Sequence, residues 1–434
     1  MFTTQATDTE VTFSSFIPHG TVNAPASKSY AQRLLALSLV APGKNVFEGY
    51  TPCDDTERAL DAVRKLGARA TLVGETLSVT SGKAGTDTTE LYFGGSATSM
   101  RIFTGVSTVT PGTKLITGSE QLARRPVAPL VSALRRLGAS IETSGGGLPL
   151  IVHGTGLRGG SVNTEATISS QFASSIMIAA TKADNDVEIL QQGGGSKGYV
   201  SMTAEAIRLF GGHISLNEDG SKILVKPSSL RPVRTRIEGD FSSAAFALVA
   251  GAIAGEVEVC NLNPYSLQPD RSLIEIIRGA GCEVKVSEAA VKVSGSKLEP
   301  FEVSVDDSPD LAPVLAVLAA YAKGKSTIGG IERLRFKESD RIGSITRMLA
   351  SLGVESFTNG KTITVTGGAV EGGTVDAEED HRIALAASIA AVSSHKPVRV
   401  LGFECHTKSY PRFLDDYRAL GGKATVRGNQ QGGS

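Results

Sequence analysis

A helix ending in a Leu-Gly-type stop recurs six times along the chain at an almost constant interval. The copies read ALDAVRKLGA, LVSALRRLGA, TAEAIRLFGG, LIEIIRGAGC, TRMLASLGVE and LDDYRALGGK. Their stop glycines are Gly67, Gly138, Gly211, Gly281, Gly353 and Gly421, spaced 71, 73, 70, 72 and 68 residues apart. Apolar residues fall at helical spacing in each copy, and Gly supplies the left-handed residue that ends the helix. Two short β-rich runs around a turn usually follow, as in HISLNEDGSKILVKP and ESFTNGKTITVTG. A second helix shares the period and begins near Ser27, Gly95, Ser169, Asp240, Asp307 and Asp380. Its copies, such as SAAFALVAGAIA and LAPVLAVLAAYA, are apolar nearly all round, the mark of a helix buried on every side. The unit is therefore strand–helix–strand–helix–hairpin, repeated six times. The Pro- and Arg-containing stretch Lys226–Gly239 falls between copies three and four, so the pattern predicts two α/β domains of three units with a cleft between them. A length of 434 residues agrees, at roughly 150 residues per domain.

Composition removes several classes of function. Lys plus Arg and Asp plus Glu are both 44, which argues against a general binder of nucleic acid or membrane surfaces. The longest apolar runs, Ala244–Gly255 and Leu311–Ala322, stop short of a membrane span. The first dozen residues are polar, with neither a signal nor a transit pattern, so a cytoplasmic location is expected. Four cysteines show no CxxC pairing and six histidines no HxxxH or HExxH spacing, so no metal is expected.

Each buried helix opens on small polar or charged residues, among them Ser27-Lys28-Ser29, Ser169-Ser170-Gln171 and Asp380-His381-Arg382. Ser, Asp and Gly are ordinary N-caps. Capping accounts for neither Lys28 nor Arg382, since a cation opposes the helix dipole at that end. An anion held jointly by the free N–H groups and the cation accounts for both. Ser29 and Arg33 share one helical face at i and i+4. Lys337-Glu338-Ser339-Asp340-Arg341 puts Lys337 and Arg341 four apart, with Glu338 in reach of Arg341; read alone, it is a surface ion-pair ladder. Arg124-Arg125-Pro126 and Thr407-Lys408-Ser409-Tyr410-Pro411 read alone as basic loops before a proline. Gly193 to Gly198 satisfies GxGxxG, and Glu218 lies about 20 residues on, where a ribose-binding acid would fall. Its place in one of six equal units, whose second strand enters a hairpin, favours a plain Gly-rich loop. No serine–histidine–acid triad suggests itself. Together Lys28, Arg33, Arg125, Lys337, Arg341, Arg382 and Lys408 imply substrates carrying several phosphates or carboxylates. Glu338 and Asp310, two acids in that field, suit proton transfer.

These motifs resemble those of the 5-enolpyruvylshikimate-3-phosphate synthase family, in order and over almost the whole chain. P-x-S-K-S-x-x-x-R appears as Pro25 to Arg33, R-P as Arg125-Pro126, S-S-Q as Ser169 to Gln171, and S-K-x-Y as Ser196 to Tyr199. G-D-x-S-S-A follows as Gly239 to Ala244, P-D as Pro309-Asp310, K-E-S-D-R as Lys337 to Arg341, D-H-R as Asp380 to Arg382 and K-S-Y-P as Lys408 to Pro411. The resemblance implies a two-domain inside-out α/β barrel of six βαβαββ units, three per domain, with buried parallel helices. It places residues 25–236 in the first domain and 1–24 with 237–434 in the second, with crossovers near 24–26 and 227–239. The implied reaction moves the enolpyruvyl group of phosphoenolpyruvate to the 5-hydroxyl of shikimate-3-phosphate, by addition and then elimination of phosphate, without a cofactor. Lys28, Arg125 and Lys408 would hold the phosphate of phosphoenolpyruvate, and Arg341 and Arg382 its carboxylate. Ser29, Arg33, Ser169, Ser170, Ser196, Tyr199 and Lys337 would grip shikimate-3-phosphate, with Lys28 and Asp310 also in contact and Gln171 bridging both substrates. Glu338 is the expected donor to C3 and Asp310 the base on the 5-hydroxyl, while Lys28 assists the departing phosphate. A monomer is expected.

Two alternatives are weaker. The sister enzyme acting on UDP-N-acetylglucosamine carries a reactive Cys five residues before its Arg-Pro, where this chain has Glu120, and lacks the S-K-S-x-x-x-R opening. A non-catalytic anion-binding protein of the same fold would lose Glu338, Asp310 or several cations, and none is lost. The chain departs from the family pattern at Gly94-Gly95-Ser96-Ala97-Thr98, where the family reads G-N-A-G-T, and at Arg333, where Asn is frequent. Ala97 would lie at the phosphate end of the phosphoenolpyruvate pocket. Its methyl is expected to make the herbicide glyphosate, a slightly longer mimic of that substrate, a weak inhibitor.

Overall fold

The computed structural model describes residues 9–82, 85, 87–193 and 197–427, so Ser196 lies outside the described residues. All six stop glycines have positive φ, between 77° and 100°, and each ends its helix where the repeat predicts. Among the described residues, six four-stranded sheets follow one plan: an edge strand runs parallel to a central strand, whose other side takes an antiparallel pair.

By packing, the chain divides into Ala26–Asp240 with Leu267–Pro269, and a second unit formed by the residues up to Pro25, Phe241–Ser266 and those from Asp270 on. The expected boundary after residue 236 thus moves to Asp240. Residues 237–240 are stitched to the start of the first buried helix: the Ser27 N–H donates to the Glu238 carbonyl at 2.8 Å, and Ala26 bridges Gly239. Gln268 adds hydrogen bonds to the Glu238 side chain and the Gly239 carbonyl, which carries 267–269 with that unit.

In Ala26–Asp240 the buried helices are Lys28–Val40, Ala97–Val109 and Gln171–Ala180. Strand His19–Asn23, which precedes the first of them in the chain, pairs with Glu256–Cys260 in the second unit. Arg234–Arg236 takes its place beside Lys44–Glu48. Helices Ala97–Val109 and Gln171–Ala180 approach closely at Gly105, where a Cβ would lie 2.6 Å from the Ser175 carbonyl oxygen. Strand Val187–Gln192 pairs antiparallel with Lys222–Lys226 of the hairpin it forms with His213–Leu216, and Glu218 stands in that hairpin's turn.

In the second unit the buried helices are Phe241–Ile253, Ala312–Tyr321 and His381–Ala390. Every residue of the last two is buried except Tyr321, as their apolar, Ala-rich sequences require. The sixth hairpin is completed from the other end of the chain: Lys423–Arg427 pairs with Glu10–Ser14, which also pairs with Val398–Leu401.

Candidate active site

The charged motifs gather at the openings of the buried helices, in one group within each unit. In Ala26–Asp240, the Ser27 hydroxyl caps helix Lys28–Val40 by accepting the Tyr30 N–H. Lys28, the first helical residue, donates through Nζ to Asp55 Oδ2 at 2.9 Å. Asp55 lies in the first turn of helix Asp54–Lys65, where the dipole favours an acid. Arg33 is 1% exposed and donates to Thr203 Oγ1 at 2.8 Å, the Ser29 carbonyl at 2.7 Å and the Tyr199 carbonyl at 3.2 Å. The i,i+4 relation with Ser29 therefore works through the carbonyl rather than the hydroxyl. Burial pushes the Arg33 guanidinium down to about 10, against the opposing influence of Tyr199 and Tyr30, so it remains charged at neutral pH. Among the described residues its partners are hydroxyls and carbonyls, with no carboxylate ion-paired to it.

Ala97 opens the second buried helix and is 4% exposed, behind the N-cap Ser96. One turn on, Arg101 is buried and joins two motifs. It donates to Ser169 Oγ at 3.1 Å, to Gln171 Oε1 at 2.7 Å and to the Pro126 carbonyl at 2.6 Å, so one guanidinium orients S-S-Q and the Arg125-Pro126 turn together. Gln171 in turn donates to Thr98 Oγ1 at 2.8 Å, beside Ala97. Ser170 is buried at the helix cap, and Arg125 is half-buried after the short helix Glu120–Ala123. Glu120, at the sister enzyme's cysteine position, points into solvent.

In the second unit the centre is Arg341, 1% exposed. Its Nε donates to Asp380 Oδ2 at 2.7 Å, Nη1 to Asp310 Oδ1 at 2.7 Å and Nη2 to Glu338 Oε2 at 2.8 Å. Lys337 Nζ reaches Asp310 Oδ1 at 3.1 Å, Arg382 Nη2 lies 3.8 Å from Asp310 Oδ2, and Lys408 Nζ lies 3.6 Å from Glu338 Oε1. K-E-S-D-R is therefore no surface ladder. Residues 337–340 form an irregular loop after the 3-10 turn Glu332–Phe336, and the helix starts only at Arg341. The Glu338–Arg341 pair is made by that loop folding back, not by helical spacing. Burial alone would raise the Asp310 carboxyl, but Lys337, Arg341 and Arg382 outweigh it and hold it well below the usual carboxylate range. Burial would lower Arg341, but Asp380, Glu338 and Asp310 hold it well above its ordinary value. Four cations thus share three carboxylates, a group that keeps positive charge in a poorly solvated place.

A family model for EPSP synthase (3-phosphoshikimate 1-carboxyvinyltransferase) matches residues 18–417. The chain belongs to the EPSP synthase family. It is 43% identical to the 3-phosphoshikimate 1-carboxyvinyltransferase of Aeropyrum pernix over 93% of this chain and 94% of that one. The enzyme of that name from Thermococcus kodakarensis is 36% identical over 92% and 97%. An EPSP synthase structure from Acinetobacter baumannii superposes with a TM-score of 0.82 at 25% identity, covering 97% of this chain and all of that one. The reaction of the family, and of this chain, is transfer of the enolpyruvyl group from phosphoenolpyruvate to shikimate-3-phosphate in the shikimate pathway. The fold is the family's two-domain α/β arrangement.

Ser29, Arg33, Ala97, Arg125, Ser169, Ser170, Gln171 and Tyr199 fall with Lys28 in the first group. Asp310, Lys337, Glu338, Arg341, Arg382 and Lys408 fall in the second. Three neighbours escaped the sequence reading: Asp55, Arg101 and Asp380. Asp380 reads as an N-cap, and it does accept the Arg382 N–H at 3.0 Å, but it also receives two donors of Arg341. For Arg101 a signal existed, since a lone Arg inside the apolar run SMRIFTGVS has to find buried partners.

Proposed function

We propose that the two groups divide the reaction as follows. Arg33, with Ser29, Ser169, Ser170, Ser196, Tyr199 and Lys337, holds shikimate-3-phosphate. Lys28, Arg125 and Lys408 hold the phosphate of phosphoenolpyruvate, Arg341 and Arg382 its carboxylate, and Gln171 touches both substrates. The observation that supports this most is Arg33: a buried cation among the described residues with only neutral partners favours a dianionic ligand. Asp310, held anionic by Lys337, Arg341 and Arg382, accepts the proton of the 5-hydroxyl. Glu338 delivers the proton to C3, and Lys28 stabilises the departing phosphate. For Arg341 to hold a substrate carboxylate it must exchange one of its three carboxylate partners, so binding and release of the acids are linked. The enzyme works as a monomer in the cytoplasm and binds glyphosate weakly because of Ala97.

The test follows phosphate released from phosphoenolpyruvate. Release is expected with shikimate-3-phosphate and at background without it. Equal release with UDP-N-acetylglucosamine, or none with shikimate-3-phosphate, would overturn the proposal.

A further inference from the structure

The turn that delivers Asp380 to Arg341 is built from residues ill suited to it. The Asp380 N–H closes the turn on the Ala377 carbonyl at 2.9 Å, and its two central residues are Glu378 and Glu379. Both have positive φ, 51° and 54°, the sign pattern of a type I′ turn, which favours Gly and Asn. Among the described residues only Asn261 shares such a φ without being glycine. A strained turn persists only when its surroundings hold it.

The surroundings here are specific. Arg347 grips the Glu378 carboxylate with two donors, Nε to Oε1 at 2.7 Å and Nη2 to Oε2 at 2.6 Å. Ser344 Oγ adds a hydrogen bond to Glu378 Oε2 at 2.9 Å and lies 2.9 Å from Ser339 Oγ. Ser339 donates to Asp380 Oδ2 at 3.1 Å, the oxygen that receives Arg341 Nε. The clamp therefore reaches Asp380 by two routes, through the backbone of the turn and through the two serines. Arg347 and Ser344 lie on helix Arg341–Ser351, whose first residue is Arg341 itself. Clamp and guanidinium are thus fixed to one rigid element.

We propose that Glu378, clamped by Arg347, is a positioning residue for the reaction: it holds the left-handed turn that aims Asp380 at Arg341, and so sets the geometry in which Arg341 receives the carboxylate of phosphoenolpyruvate. This rests on the assignment of Arg341 to that carboxylate. Glu378 touches no substrate; it acts through the turn.

Steady-state kinetics of the full-length enzyme test it, with KM for each substrate measured separately. Glu378→Ala raises KM for phosphoenolpyruvate about tenfold, the size of one lost charge-assisted contact, and leaves KM for shikimate-3-phosphate within about twofold. Arg347→Ala does the same, Arg347→Lys restores part of the loss, and the double alanine variant is no worse than either single one. Glu378→Gly, which suits positive φ without a clamp, is milder than Glu378→Ala. Equal effects of Ala and Gly would show the carboxylate acting by charge rather than through the turn, and would overturn the proposal. So would an unchanged KM for phosphoenolpyruvate, or an equal rise in both KM values. Arg341→Lys is measured alongside. If it too leaves KM for phosphoenolpyruvate unchanged, the assignment of Arg341 fails and this proposal with it; if only the Glu378 variants are silent, the assignment stands and the proposal alone is lost.

Discussion

Glu338 illustrates how much of a catalytic role can be judged from one residue's neighbours. Its two oxygens face Arg341 and Lys408 at 2.8 and 3.6 Å, so a proton bound for C3 has to be taken up against two cations. Replacing it by Gln keeps the shape and removes the proton. Turnover is expected to fall by about 10²–10⁴ while shikimate-3-phosphate binds as before, checked by rate measurement and calorimetry. Near-normal turnover would move the role to Asp310 or Lys28. Ala97 carries a second prediction. It is buried at the helix opening, next to Thr98, which Gln171 links to Arg101. One extra methyl in a close-packed site costs roughly 1–3 kcal/mol, about 5–150-fold in affinity. Ala97→Gly is expected to lower the glyphosate inhibition constant, divided by KM for phosphoenolpyruvate, at least several-fold. An unchanged ratio would acquit the methyl. Residue types were the most legible part of the sequence, because cations at helix openings break the dipole rule and so announce themselves. Asp380 at an N-cap and Asp55 in a first turn obey that rule, so nothing in the sequence sets them apart.

Elements were legible where a glycine or an apolar stripe dictates geometry. All six stop glycines end helices with positive φ, and the all-round apolar helices are buried. Local spacing misleads at Lys337 to Asp340, which precede the helix and are shaped by tertiary charge pairing. Close packing between helices was likewise invisible, since Gly105 in SMRIFTGVS looks like any small residue. Its partner is the Ser175 backbone, which cannot move aside cheaply. Gly105→Ala is expected to cost about 1–3 kcal/mol in denaturant unfolding, and to disturb the nearby Arg101–Gln171 contact enough to lower activity. Gly279→Ala, where a Cβ meets nothing within 4 Å, is the control and should be near neutral. Equal effects of the two would show that the helix contact at Gly105 carries no cost.

At the scale of the whole molecule, the period of the repeat foretold three units on each side of Lys226–Gly239, but not how the chain ends are used. Strand His19–Asn23 leaves its own repeat for Glu256–Cys260, and Glu10–Ser14 completes the sixth hairpin; such pairing depends on register partners hundreds of residues away that no local pattern reveals. The proposed division of labour has a consequence on the same scale. Shikimate-3-phosphate is assigned mostly to residues of Ala26–Asp240, yet Lys337 and Asp310, in the other unit, are assigned to it as well. A bound ligand slows amide exchange where it adds contacts or suppresses local opening. Saturating shikimate-3-phosphate alone is therefore expected to protect amides near Ser29–Arg33 and Ser169–Gln171, and also those of 332–341, measured by hydrogen exchange and mass spectrometry. Adding phosphoenolpyruvate to an inactive Glu338→Gln enzyme should extend protection to the turn at 377–382 and to 403–410. Protection by shikimate-3-phosphate confined to Ala26–Asp240 would remove Lys337 and Asp310 from its binding set, and would leave Asp310 without the hydroxyl it is proposed to deprotonate.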